Sequence, residues 1–117
     1  MVRVGPALKV TIYLNDDTGS ETGFLHQDLL ALLQQRGVEG ASVIRPYAGF
    51  GANKRLHVSG AGSVEGEHLP IILTFVDAVE KVEALLPALL EAVSDGLVEV
   101  HPTQVIKSAR TKSQVIA

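Results

Sequence analysis

The sequence contains no cysteine, which excludes disulfides, thiolate metal sites and cysteine nucleophiles and is compatible with a reducing compartment. Aromatic residues make up only 4% of the chain, against 46% hydrophobic residues in all. The core must therefore be aliphatic, built from Leu, Val, Ile and Ala. No stretch approaches the ~18 uninterrupted apolar residues of a membrane span, and "MVRVGPALKV" lacks the layout of a signal peptide. A cytoplasmic protein is expected. Excess positive charge is missing too: 10 basic residues face 13 acidic ones, for a net charge of −3. Broad nucleic-acid binding needs a concentrated positive field, so no nucleic-acid partner is expected. No nucleophile motif such as G-x-S-x-G occurs and no catalytic constellation emerges, so the chain reads as a non-enzyme with no cofactor.

What is present is patterning. At 117 residues the chain predicts one domain, residues 1–117, with loose tails at 1–6 and 108–117. A domain this small gains from burying further surface by oligomerisation. "ALKVTIYL" (7–14) alternates, with Leu8, Val10, Ile12 and Leu14 on one face, as in a half-buried strand. A helix follows on Leu25, Leu29, Leu32 and Leu33, with Ser20 or Thr22 as its cap and Gly37 as its stop. "GASVIRPYAGF" reads as a second strand that Pro46 confines to an edge or a bulge. "LPIILTFV" (69–76) is apolar throughout, hence a buried strand.

A second helix is predicted over "DAVEKVEALLPALLEAV". Asp77 would cap it, Val79, Val82, Leu86, Leu89 and Val93 would lie on one side, and Pro87 would kink or restart it. "LVEVHPTQVIK" is a fourth strand interrupted near Pro102, with His101 partly buried. Strand, helix, strand, strand, helix, strand is the α+β, ferredoxin-like βαββαβ order. It implies a four-stranded antiparallel sheet with two helices on one face and a long loop between strands two and three. Partner subunits are expected to cover the other face.

That loop, residues 51–68, is rich in Gly and Ser and shows no periodicity. Loops of this length are uncommon in compact domains and tend to be functional or mobile, and this one is expected to be mobile without ligand. It opens on "YAGFGANKRLH" (47–57). Glycine lets backbone N–H groups approach an anion closely. Lys54 and Arg55 would add charge and a bidentate fork. The same residues also fit an ordinary turn with two solvated cations. His57 and His68, with Glu65 and Glu67, offer imidazole and carboxylate to a divalent metal, or form a solvated acidic loop. Asp16 and Asp17 fit turn chemistry, and His26 fits a surface or interface position on the first helix.

Several segments together resemble the nitrogen regulatory protein PII superfamily, and more closely the small bacterial family of PII-like proteins. They are "LKVTIYLND", "RGVEGASVIRPYAGFG" (36–51), "LPIILTFVD" (69–77), "EKVEALLP" (80–87) and "DGLVEV" (95–100). The resemblance spans about residues 7–107. It implies a homotrimer that binds a small anionic metabolite or nucleotide in clefts between subunits. It also implies a protein target, membrane proteins included, docked through loop 51–68. On this resemblance Gly49, Phe50 and Gly51 match the base of the PII T-loop, and Lys54 and Arg55 fall in its polar stretch. His57 matches a histidine of the PII-like loop, while Lys107 and Arg110 lie near the C-terminal basic residues. PII proteins usually follow "DG" of the B-loop with a phosphate-binding lysine; here that position is Leu97, which puts ordinary ATP binding in question. The alternative reading is a divalent-metal-binding tolerance-type protein of the same fold.

Overall fold

Period-two alternation builds the sheet. The computed structural model describes residues 2–15, 18–20, 23–50, 57–58 and 70–109. Strand β1 (Gly5–Asn15) takes in Gly5 and Pro6, which the sequence alone assigns to a loose tail. Helix α1 (Leu25–Gln35) follows, then β2 (Ser42–Ile44), β3 (Ala48–Gly49), β4 (His57–Val58), β5 (Pro70–Ala78), α2 (Val79–Ala92) and β6 (Leu97–Val105). The main sheet has the order β2-β5-β1-β6 and every pairing in it is antiparallel. This is the expected ferredoxin-like α+β fold.

In β1, Val10, Ile12 and Leu14 turn to the helices, opposite Phe75, Leu73 and Ile71 of β5. Leu25, Leu29 and Leu33 of α1 and Val82, Leu85 and Leu89 of α2 complete the core. Leu85 takes the buried place that the sequence assigned to Leu86, which packs at the core's margin.

The helix ends differ from expectation in instructive ways. Phe24 occupies the cap position of α1 and no side chain caps the helix. The Thr18 carbonyl already accepts the Leu25 N–H at 2.8 Å, and the Ser20 hydroxyl donates to Asp28 instead. Thr22 lies outside the described residues. At the other end Gly37 adopts φ +81°. Its N–H bonds the Gln34 carbonyl and the Val38 N–H bonds that of Leu33, a Schellman stop.

Helix α2 starts directly after β5, with Ala78 rather than Asp77 at its cap. Asp77 instead accepts the Ala78 N–H through Oδ1 at 2.7 Å. Pro87 sits inside α2 and the helix continues through it. Proline's fixed φ suits a helix, and the carbonyl it leaves unpaired is that of Glu83, on the exposed side. Strand β6 likewise runs on through Pro102. It is an edge strand, which tolerates proline where the missing N–H faces away from the neighbour.

Among the described residues, no helix covers the second face of the sheet. Ile44, Ile72, Tyr13 and Leu97 form one row across it, and Lys9 and His101 pair in another. His101 is exposed there, not partly buried, because an edge strand on an uncovered face has a neighbour on one side only. The Tyr13 hydroxyl donates to Glu99 Oε1 at 2.9 Å. That hydrogen bond, together with desolvation and the carboxylate's negative charge, raises the Tyr13 pKa above its ordinary 10.0. No described helix is long and apolar enough to cross a membrane.

Two predictions follow from this geometry. Asp77 is 2% exposed; Lys81 Nζ lies 3.5 Å from its Oδ2 and donates to the Gly37 carbonyl at 2.9 Å. Lys81 thereby ties the end of α1 to the start of α2. Lys81→Met strands a buried carboxylate and should cost about 1–3 kcal/mol, less than a fully buried pair because the lysine is partly exposed. Urea unfolding at fixed protomer concentration should show Asp77→Asn recovering part of that loss in the Lys81→Met background; equal costs in both backgrounds would refute the coupling.

The second concerns Tyr13. A raised phenol pKa means that the fold favours the protonated form. The contribution is present below pH 10 and is lost as pH rises through the folded-state value. Phenolate absorbance in a Tyr47→Phe background should place the Tyr13 titration above 10, and Glu99→Gln should move it down. An unmoved titration would remove the hydrogen bond as its cause.

Candidate functional site

A cleft of about 790 Å³ opens at the end of the sheet where β1 finishes and β5 and β6 begin. Three sequence-distant segments close around it. The first holds Pro46, Ala48, Gly49 and Phe50, the second Pro70, Ile71 and Ile72, and the third Asp95, Gly96 and Leu97; Tyr13, Leu14 and Asn15 of β1 form the floor between them. Pro46 lies just past the edge strand β2, so its missing N–H breaks no ladder.

The first wall is organised by a small separate ribbon. β3 pairs antiparallel with β4, Ala48 opposite Val58 and Gly49 opposite His57. The sequence reads residues 51–68 as wholly irregular; β4 is a short strand inside that span. A two-residue pairing has no periodicity to detect. The ribbon brings the backbone of His57 beside Gly49 and so fixes the start and return of the segment between them.

The third wall is fixed by close approach. A Cβ on Gly96 would sit 2.9 Å from the Tyr13 carbonyl oxygen and 3.2 Å from Val93 Cγ1. Only glycine lets the 95–97 turn press this tightly against β1. The turn carries Asp95 and Leu97 into the cleft, and Leu97 is 57% exposed there. Phe50, across the cleft, is 73% exposed.

The candidate residues divide into three groups. Gly49 and Phe50 line the cleft, and His57 joins them through its backbone. Gly51, Lys54 and Arg55 lie outside the described residues, as do Arg110, the acidic pair Asp16 and Asp17, and Glu65, Glu67 and His68. Lys107 follows β6 at the opposite end of the sheet: Leu97 pairs with Tyr13 at the cleft, whereas Val105 pairs with Gly5. That separation is roughly 26 Å at ~3.3 Å per residue. Within one subunit Lys107 does not meet Gly49.

His26 is half-buried, its ring stacked on Phe24 at 6.0 Å, and it lies on α1 away from this cleft. Among the described residues, no three His, Asp or Glu side chains gather as a metal site would require. Sequence reasoning missed Tyr13, Asn15, Ile72 and Asp95 as cleft residues. The first three belong to strands whose core pattern explains them fully, and Asp95 reads as turn chemistry. Only topology brings them together.

Residues 7–105 match the DUF190 family, described as an uncharacterized ACR. A UPF0166 protein of Aquifex aeolicus is 27% identical over 105 residues, covering 90% of this chain and 98% of the relative. Among solved structures, this chain resembles CPII of Thiomonas intermedia, a nitrogen regulatory PII-like protein bound to ADP, AMP and bicarbonate. The TM-score is 0.64 at 22% identity, over 92% of this chain and 94% of that one. A putative PII-like signaling protein of Thermus thermophilus gives the same TM-score of 0.64 at 21% identity, over 91% and 94% of the two chains. The uncovered sheet face and the cleft at the strand ends thus sit on a PII-like fold, and the chain belongs to the DUF190 family.

Proposed function

We propose that this protein is a PII-like ligand sensor of the cytoplasm that takes a small anionic metabolite, a nucleotide, at clefts between the subunits of a homotrimer. Ligand occupancy would regulate a protein target through residues 51–68. The reading assigns it no catalysis. The observation that carries it is the position of the cleft. Its rim is the point from which 51–68 leaves and returns, so a molecule held there touches the base of the segment that a partner would meet. Ligand-dependent ordering of a segment is an established way to present or hide a surface. The ADP and AMP bound to CPII supply the chemical class.

In this reading Gly49, Phe50 and Gly51 offer backbone to the ligand, and Lys54, Arg55 and His57 supply polar contacts. Lys107 joins the site only from another subunit, because its own strand carries it to the far end of the sheet. Closed symmetry makes such a contribution possible. The uncovered sheet face supports the same assembly. Its row Ile44, Ile72, Tyr13 and Leu97 is apolar or aromatic, with Ile44 49% exposed in the lone subunit. Burial of such surface favours association at about 25 cal/mol per Å².

Light scattering at micromolar concentration should therefore give a trimer mass, and Ile44→Asp should shift it toward monomer. A stable wild-type monomer would sink the assembly. Calorimetric titration with AMP, ADP and ATP should show saturable binding. Arg55→Ala should weaken it about ten- to a hundredfold, the worth of a charge-assisted hydrogen bond, with the trimer intact. Equal affinity in variant and wild type would remove Arg55 from the site.

A further inference from the structure

The described wall of the cleft carries the wrong charge for a phosphate. Among its described lining residues Asp95 is the one formally charged side chain. Tyr13 adds a phenol whose proton is already given to Glu99, which places a second carboxylate just behind the wall. Asn15 adds an amide; the remaining lining side chains are apolar or, at glycine, absent. Among the described lining residues no lysine offsets Asp95, and the position after Gly96 is Leu97.

Asp95 is also held in place. Gly96 packs against the Tyr13 carbonyl closely enough that no Cβ fits, so the turn bearing Asp95 is seated on β1. The carboxylate has no hydrogen bond or ion pair with another described residue. A carboxylate is acceptor-only. It repels phosphate oxygens and is satisfied by O–H or N–H donors.

We propose that Asp95 is the specificity-determining residue of this cleft, accepting hydrogen bonds from hydroxyl or amino donors at the nucleoside end of a nucleotide and keeping its phosphates off this wall. The inference rests on the nucleotide reading above and deepens it. The base or sugar then lies near the apolar surface of Leu97 and Ile72, and the phosphate points to the Gly49 side. Nucleotides of low charge are favoured over triphosphates of the same base.

Two substitutions separate charge from hydrogen bonding. Asp95→Asn keeps an acceptor and removes the charge; Asp95→Ala removes both. The test is calorimetric titration of the trimer, checked by circular dichroism and light scattering, with AMP, ADP, ATP, 2′-deoxy-AMP and inosine monophosphate. Wild type should prefer AMP to ATP. Asp95→Asn should raise ATP affinity relative to AMP by about three- to tenfold, as expected for two extra phosphate charges near one carboxylate in a largely aqueous cleft. Asp95→Ala should weaken AMP by about ten- to a hundredfold.

The analogue that loses affinity in wild type but not in Asp95→Ala identifies the donor, the ribose hydroxyl for the deoxy compound or the amine for the inosine compound. An unchanged AMP-to-ATP ratio in Asp95→Asn overturns the proposal. So does an Asp95→Ala variant that weakens every nucleotide equally, the signature of a structural role. Wild type that binds none of the series overturns the nucleotide reading itself, and the assignment of Asp95 falls with it.

Discussion

The register of β1 is the constraint on which the rest of the structure depends. β1 is hydrogen-bonded on both sides, to β5 and to β6, and its even-numbered residues from Leu8 to Leu14 face the helices. Side chains alternate with a period of two, so a slip of one residue would expose Val10, Ile12 and Leu14 and bury Lys9 and Tyr13. The same register sets Tyr13 opposite Leu97 and Ile72. One pairing therefore decides both the core and the floor of the cleft.

The parts of the fold that were legible in the sequence are those with long-range periodicity. Leu25, Leu29 and Leu33 announce α1, and the alternation of 7–14 announces β1. The misread features all involve local chemistry that the surroundings override. Asp77 resembles a helix cap, but β5 continues to Ala78 and leaves its carboxylate to pair with Lys81. Pro87 and Pro102 resemble breaks; each sits where the hydrogen bond it forfeits is at an exposed or edge position. The β3–β4 ribbon was invisible because two residues per strand carry no pattern.

The candidate site was legible only in part. Gly49 and Phe50 are marked by the resemblance of "GFG" to the base of the PII T-loop, and both line the cleft. Tyr13 and Ile72 carried no such mark, since strand membership already accounts for them. Lys107 is a different case. The resemblance to PII offers it as a ligand contact between subunits, and nine residues of β6 carry it away from the cleft of its own subunit. Sequence distance says little about which subunit's site a residue can serve; strand direction says much more.

The cleft joins two mechanically different parts. One wall and the floor come from β1, β5 and the Gly96 turn, all anchored in the main sheet or pressed against it. The other wall comes from Pro46, Ala48, Gly49 and Phe50, of which Ala48 and Gly49 of β3 pair with β4 in a separate two-stranded sheet. An isolated two-stranded ribbon is marginally stable in water, whereas strands in a four-stranded sheet over a packed core are not. The proposed sensor role requires a ligand that binds one arrangement better than another. A site walled by the main sheet on one side and by a segment held through a two-stranded ribbon on the other suits that proposal, because contact across the cleft would add stability to the ribbon. The energy needed is modest: each factor of ten in population corresponds to about 1.4 kcal/mol, within reach of one charge-assisted hydrogen bond to the ribbon's backbone. Gly49 and His57, paired in that ribbon, are thus where a ligand of the proposed site would most readily bias the structure.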